Sequence, residues 1–229
     1  MLYKFKVMQH GKDEFDKRYF GIFFKKYNHS EFMYYYRWFK SWVNLLNKLL
    51  PIKNGEGKYV LEIGCAIGSF AKILKENRFK VVASDISEFI IEKASKLQSD
   101  IEFEVLDIEK EVAIKQKYDY IFALEVVEYL KNPKKALENM KKLLKKEDTL
   151  VFSTPTPTKQ TLADPMHINV HEPPFWISVG KSLGYREISF TRVAFIPFLY
   201  RFHSIFSFGF PVKFNIPFVN NTCFYFFKN

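Results

Sequence analysis

Val60-Leu61-Glu62-Ile63-Gly64-Cys65-Ala66-Ile67-Gly68-Ser69-Phe70, residues 60–70, is the stretch on which the reading of the chain turns. Val60, Leu61 and Ile63 read as the end of a buried parallel strand. Gly64 permits a turn with positive φ, and Gly68 lets the chain pack closely as Ser69, Phe70 and Ala71 open a helix. Such a junction offers free N–H donors and the positive end of a helix dipole to an anionic group. Glu62, at the strand tip, is the nearest acceptor for an ammonium or a hydroxyl held there. Taken alone, the same letters describe a tight turn in any α/β protein.

Three further runs carry the reading beyond that. KVVASDIS (residues 80–87) is a strand ending in Asp85, IEFEVLDIE (101–109) one ending in Asp107, and YDYIFALEVVEYL (118–130) one ending near Glu125. Each places an acid at its carboxyl end, where open α/β sheets bind ligands. An ionised acid after the second strand suits two ribose hydroxyls, because it only accepts hydrogen bonds. The turn is not built for a dinucleotide: Ala66 stands where G-x-G-x-x-G wants a Gly close to a pyrophosphate. Nor is there a G-x-x-x-x-G-K-[ST] phosphate loop. A ligand with an adenosine and a small zwitterion, but no phosphate, fits better.

On these residues the chain resembles the class I S-adenosylmethionine-dependent methyltransferases over roughly residues 56–190. The similarity is greatest to the small-molecule branch that includes the ubiquinone-biosynthesis O-methyltransferases. LEIGCAIG is similar to the family's first motif, commonly E-x-G-C-G-x-G, with Ala66 in place of the usual middle Gly. The resemblance implies a Rossmann-like, seven-stranded, mostly parallel α/β sheet with an antiparallel last strand and helices on both faces. It implies that Glu62 and the backbone of Gly64, Cys65, Ala66 and Gly68 hold the methionine part of S-adenosylmethionine. Asp85 with Ile86 would hold the ribose, Asp107 with Ile108 would face the adenine, and Leu124 and Glu125 would close the far wall. Residues 124–155 are similar to the family's fourth strand, helix and fifth strand. Where the family often has Glu-His, this chain has Glu128-Tyr129. It therefore lacks a His associated, in quinone-type relatives, with a metal or base role, and no metal is expected.

The 229 residues suffice for one α/β domain and a cap. Lys and Arg number 35 against 25 acids, a formal charge of +10. That charge would attract RNA, anionic lipid or a phosphorylated glycan, yet a Lys-rich composition on exposed helix faces gives the same number. Net charge speaks to association, not to reaction. The two cysteines, Cys65 and Cys223, lack C-x-x-C spacing, which disfavours a disulfide scaffold or a Cys-based zinc site and agrees with a reducing, cytoplasmic setting. Cys65 reads as a small filler of the turn. MLYKFKVMQHGKDEFDK has neither apolar core nor cleavage site, so no signal peptide is expected.

Residues 1–53 read as a helical cap and 54–229 as the methyltransferase domain. In the cap, DEFDKRYFGIFFKKY and SEFMYYYRWFKSWVNLLNKLL are amphipathic helices, the second with Ser30 as N-cap. Phe32, Tyr35, Tyr36, Phe39, Val43 and Leu46 form its core-facing stripe. In related enzymes such helices cover the cofactor and part of the acceptor pocket. Tyr19 and Tyr27 are therefore lid candidates, while His10 and His29 read as exposed. Further helices are expected near 69–77, 87–97 and 133–145, a short turn or helix over 106–117, and a fifth strand at TLVFSTP.

After that strand, residues 154–175 form a long loop overhanging the ligand site. It gathers Asp164, His167, Asn169, His171 and Glu172, with Pro165, Pro173 and Pro174 restricting the backbone. The prolines argue against a helical zinc pair from His167 and His171, although two His and one Asp can also bind a metal from a loop. The preferred reading is a general base, since a neutral imidazole removes a proton from a hydroxyl near neutral pH. The plain alternative is a His that only shapes the loop. D-x-x-H-x-N loops of this kind occur in the same branch of the family. The candidate catalytic set is thus His167 and His171, with Glu125 and Glu128 opposite. PPFWISVGKSLGYREISF resembles the family's last helix and sixth strand, with Gly184 ending the helix. Residues 193–220 are an aromatic insertion, interrupted by Arg201, Lys213 and prolines and so not a spanning helix. A hydrophobic acceptor wall, a dimer face and a peripheral membrane contact stand against ordinary core burial there. TCFYFFK is the final strand, by resemblance antiparallel beside the fifth.

The expected function is methyl transfer to a small-molecule acceptor, a hydroxyl on a sugar, lipid or quinone-like compound. An RNA or other nucleic-acid methyltransferase is favoured by charge, but LEVVEYL stands where an N-P-P-Y motif would follow the fourth strand. A non-catalytic S-adenosylmethionine-binding adapter is disfavoured by the intact cofactor motif.

Overall fold

The apolar runs of the sequence pair side by side in one sheet. A computed structural model describes residues 31–50, 52–195, 209–214, 216 and 220–229. The first cap helix, His10, Tyr19, Tyr27, His29, Ser30 and Arg201 lie outside the described residues. In chain order the elements are α1 (Glu31–Leu49), β1 (Tyr59–Ile63), α2 (Ser69–Glu76), β2 (Lys80–Asp85), α3 (Glu88–Leu97), β3 (Glu102–Val105), β4 (Tyr118–Leu124), α4 (Pro133–Leu143), β5 (Leu144–Pro155), α5 (Lys159–Leu162), α6 (Pro173–Ser182), β6 (Glu187–Phe195), β7 (Gly209–Val212) and β8 (Asn220–Lys228). A 3-10 turn, Val127–Tyr129, follows β4.

The strands lie in the order β3-β2-β1-β4-β5-β8-β6-β7. The pairs from β3 to β5 are parallel, and β8 enters antiparallel between β5 and β6. Chain direction across the sheet reverses between β1 and β4, so their carboxyl ends flank the crevice where such sheets take ligands. The sheet has eight strands rather than seven. The additional one is β7, inside the aromatic insertion, paired antiparallel with β6 at the edge. Its Pro211 has no N–H for a ladder, which an edge strand tolerates. Strand β5 begins at Leu144, directly after α4, and its pairing to β4 shifts register between Tyr118 and Tyr120. Residues 106–117 form turns and no helix.

Side-chain alternation splits the core into two layers. Val60, Phe122, Leu124, Phe224 and Phe226 face one side with α1, α2 and α3. Leu61, Ile63, Ile121, Ala123, Tyr225 and Phe227 face the other with α4 and α6. The stripe of α1 is wider than its spacing suggests, because Trp42 and Leu45 are buried along with Val43 and Leu46. Trp42 stacks on Phe195 (5.1 Å) and meets Phe224 edge-on (5.0 Å), fastening α1 to β6 and β8. Among the described residues, no helix is long and apolar enough to cross a membrane.

Truncating this joint leaves a large cavity. Trp42→Ala is expected to lower stability by about 3–5 kcal/mol, measured by urea unfolding. A loss under 1 kcal/mol would show that α1 is not held by this side chain.

Candidate active site

Between β1 and α2 the backbone turns left-handed three times, at Gly64 (φ 72°), Ala66 (φ 46°) and Gly68 (φ 78°). A Cβ on Gly64 would come within 2.4 Å of Val126 Cγ2, so the turn presses against the chain leaving β4. A Cβ on Gly68 would meet Gln98 Nε2 at 2.6 Å and Phe103 Cζ at 2.8 Å. Gln98 donates from Nε2 to the carbonyls of Ile67 (2.9 Å) and Gly68 (3.1 Å). On the other side Asp85 Oδ2 accepts from Ala66 N (3.0 Å) and its Oδ1 from Ser87 N (3.0 Å). Cys65 N donates to Ser84 O at 2.9 Å, and its buried thiol fills the core as read. The turn is thus held by β2 and by the end of α3. Gln98 was not singled out from sequence; its position after the last turn of α3 gives no local signal. From α1, Phe32 packs on the cluster of Ile67 and Ile90, and its carbonyl accepts from the Ser69 hydroxyl at 3.0 Å.

Glu62 is buried, and its Oε2 has no hydrogen-bond partner among the described residues. Burial first, and then the Asp85 charge, push its carboxyl well above the usual carboxylate range. Burial also raises Asp85, against the lowering effect of the N–H groups it accepts from. A buried carboxylate oxygen awaiting a donor, beside a turn of backbone amides, fits the zwitterionic end and ribose of S-adenosylmethionine. Ile86 follows Asp85 and is half-buried. Asp107, past the end of β3, accepts from Glu109 N (3.1 Å) and pairs with Lys110 (3.2 Å). The Ile108 side chain lies in the α4-side core, so its side chain is packing.

A second group of acids sits where β4 ends. Glu125 has a positive φ of 54°, and its N–H donates to Ser153 O (3.2 Å). Its Oε1 accepts from the hydroxyls of Ser153 (2.8 Å) and Thr222 (2.7 Å). Burial raises Glu125, while those hydroxyls and the nearby His167 charge act in the opposite direction. Glu128 is buried with Oε2 unpartnered among the described residues, and burial, then the Glu125 charge, hold it well above the carboxylate range. Its carbonyl accepts from Ile168 N (2.9 Å) and Asn169 N (3.0 Å), clamping the overhanging loop to the 3-10 turn. His167 then lies with Nδ1 at 3.2 Å from Thr161 O and Nε2 at 3.3 Å from Tyr129 Oη. His171 contacts Asn169 (3.4 Å) and stacks on Phe175, its ring centroid 3.8 Å away, and burial lowers its pKa. The fold therefore gathers Glu125, Glu128 and His167, with Tyr129, Ser153 and Thr222, and turns His171 toward α6. Ser153 and Thr222 were not read as site residues, because small hydroxyls within apolar strands look like filler. Among the described residues, no group of three His, Cys, Asp or Glu is disposed to hold a metal ion.

Comparison with known proteins gives consistent matches. A family described as a methyltransferase domain matches residues 32–193. The ubiquinone biosynthesis O-methyltransferase of Coxiella burnetii is 31% identical over 103 residues, covering 43% of this chain and 44% of that protein. The juvenile hormone acid O-methyltransferase of Bombyx mori is 33% identical over 111 residues, 44% of this chain and 40% of that protein. The similarity thus spans under half the length of these relatives. Among solved structures, a SAM-dependent methyltransferase from Archaeoglobus fulgidus superimposes with a TM-score of 0.66 at 18% identity, over 92% of this chain and 100% of that one. The magnesium protoporphyrin IX methyltransferase of Synechocystis PCC 6803, solved with bound SAH, gives a TM-score of 0.64 at 17% identity, over 95% and 98%. At these identities the structural likeness speaks for the fold.

Two outcomes follow from the geometry. Ala66 in a left-handed conformation costs about 1–2 kcal/mol, part of which glycine recovers. Ala66→Gly should therefore raise stability by about 0.5–1 kcal/mol in denaturant titrations; a loss would show the turn is not strained there. Glu62 and Glu128 have folded-state values raised above the unfolded ones. Their contribution to stability is full below the unfolded value of 4.5 and is lost as pH rises through the raised folded values. His171, lowered by burial, works with the opposite sign. Between about pH 5 and pH 8, Glu62→Gln and Glu128→Gln should each gain stability relative to wild type as pH rises. A difference independent of pH would mean these carboxyls titrate normally.

Proposed function

The chain belongs to the methyltransferase-domain family, and from that premise we propose that it transfers a methyl group from S-adenosylmethionine to a hydroxyl of a small-molecule acceptor. The observation that carries this is one crevice with two chemistries. A buried carboxyl oxygen without a hydrogen-bond partner among the described residues lies on one side, at Glu62, and an acid–imidazole cluster lies at the overhanging loop on the other. The Gly64–Val126 contact makes the two halves neighbours. The bound cofactor supplies a sulfonium methyl that is already electrophilic, so the protein's part is binding, alignment and care of a proton.

Glu62 would accept from the ammonium, and the backbone of Gly64, Cys65, Ala66 and Gly68 would line the methionine part. Asp85 and Ile86 would take the ribose, Asp107 and the backbone of Ile108 the adenine, and Leu124 the far wall. The helix α1, seated on the turn through Phe32, would keep water from the cofactor, in line with residues 1–53 acting as a cap. On the acceptor side, His167 serves better as base than His171, because Glu125 and Glu128 adjoin it. The two relatives carry O-methyltransferase in their names, which supports an oxygen acceptor. Leu162, Ile168 and Phe175 expose apolar surface on the loop and α6, which favours a lipid or quinone-like compound over a sugar. A nucleic-acid acceptor draws support from the +10 charge alone. Many lysines, among them Lys72, Lys96 and Lys142, already pair with surface acids.

Calorimetry should find binding of S-adenosylmethionine and S-adenosylhomocysteine. Glu62→Gln should weaken both by about 10–100-fold, the loss of one charge-assisted hydrogen bond, while the melting temperature at neutral pH stays at or above that of wild type. Asp85→Ala should weaken binding by about 1–3 kcal/mol and also lower stability, because Asp85 braces the turn. Labelled methyl groups should appear in phenolic or lipid acceptors and not in RNA at physiological salt. No binding to the wild type, or a specific RNA product, would overturn the proposal.

A further inference from the structure

One contact that the reading above leaves without a role is that between the His167 imidazole on the loop and the phenol of Tyr129. We propose that Tyr129 is a catalytic residue of the methyl transfer: its phenol oxygen takes the proton of the acceptor hydroxyl and passes its own to Nε2 of His167. This rests on the hydroxyl-methylating reading above.

The tautomer of His167 decides the direction. A backbone carbonyl only accepts hydrogen bonds, so the Nδ1···Thr161 O contact of 3.2 Å requires the proton on Nδ1. The neutral ring then carries its lone pair on Nε2, and at 3.3 Å the Tyr129 hydroxyl must be the donor to it. The Thr161 carbonyl is itself well placed. Thr158 and Thr161 form a reciprocal capping box at α5, and the Thr161 hydroxyl donates to Thr156 O at 2.8 Å. Tyr129 is fixed from the other side, its N–H donating to Val126 O at 3.0 Å within the 3-10 turn. The basic nitrogen thus meets the phenol first, and a hydroxyl reaches it through Tyr129.

The groups facing the imidazole suit a ring that becomes charged. Glu125 comes from the end of β4, its carboxylate supported by the Ser153 and Thr222 hydroxyls. Glu128 comes from the 3-10 turn and holds the loop through its carbonyl. On the loop itself, the Asp164 carbonyl accepts His167 N–H, and its carboxylate accepts from Met166 N. A positive charge on His167 therefore forms beside a carboxylate already held by two hydroxyls.

The balance closes without a further reactant. The acceptor's O–H bond breaks as its oxygen bonds the methyl carbon, and the carbon–sulfur bond breaks with its electron pair left on sulfur. The acceptor's proton goes to the phenol oxygen, the phenol's proton to Nε2, and the resulting imidazolium later releases it to water.

The test begins with the whole 229-residue chain alone. Nitrogen-15 NMR of histidine-labelled protein, assigned by the signal lost in His167→Ala, should show His167 protonated on Nδ1, and Tyr129→Phe should move the Nε2 resonance. In turnover, Tyr129→Phe should lower kcat by about 10–100-fold with S-adenosylhomocysteine affinity within about twofold and the acid limb of the pH profile kept. His167→Ala should lower kcat by about 10²–10⁴-fold and remove that limb. Protonation on Nε2 in the wild type refutes the relay whatever the variants do. So does a Tyr129→Phe enzyme within twofold of wild type, or one whose limb moves while its plateau stays. Failure to methylate any hydroxyl compound, with the Nδ1 tautomer present, strikes the underlying reading and the relay with it. Methylation that ignores Tyr129 strikes the relay alone.

Discussion

The left-handed turn from Gly64 to Gly68 is the constraint on which the rest of the structure depends. A parallel strand must reverse into α2, and three positive φ angles accomplish this, with the N–H groups of Cys65, Ala66 and Gly68 donating within the protein to Ser84 O, Asp85 Oδ2 and Cys65 O. Two are glycines, which visit that region freely; the third is Ala66, which does not. Asp85 and Gln98 hold the arrangement through hydrogen bonds from opposite sides. The seat of α1, through Phe32 on Ile67, and the path of the chain after β4, through Val126 on Gly64, both take their position from this turn. Asp85 fixes the backbone beside it, and in the proposed function the same carboxylate would also hold the ribose.

Much of the fold was legible in the chain because burial on two faces leaves a simple mark. Val60–Ile63 and the run Tyr120–Leu124 alternate between two cores, and the acids after each strand fall at its carboxyl end. What escaped has physical reasons. Strand β7 is four residues long and contains Pro211, so its pattern resembles a loop until an edge is available for it. Trp42 lies off the stripe expected of α1 because the helix packs both on α2 and on the aromatic rings of β6 and β8.

The site divides the same way. Residues tied to the turn by neighbouring sequence, Glu62, Gly64, Gly68 and Asp85, were visible as a motif. Thr222 lies 97 residues from the Glu125 carboxylate to which it donates, and only the insertion of β8 beside β5 brings them together. His167 and His171 were indistinguishable in the sequence, two imidazoles on one proline-rich loop. The clamp of Ile168 and Asn169 on the Glu128 carbonyl separates them, sending one ring to Tyr129 and the other onto Phe175.

Placing three buried acids and the half-buried Glu125 at the carboxyl end of one sheet works against the fold, since burial disfavours each charge. The surroundings resolve this differently for the two acids near the loop. Glu125 receives two hydroxyl hydrogen bonds, which favour its ionised form despite burial. Glu128 is buried with Oε2 unpartnered among the described residues and has a charged neighbour in Glu125, both of which favour the neutral acid. Two carboxyls so close are pushed apart in their titration, leaving one negative charge where both ionised would repel. A single charge is also what one imidazolium needs. The loop clamp uses the backbone of Glu128 and not its carboxyl, so holding His167 in place does not require the second acid to ionise.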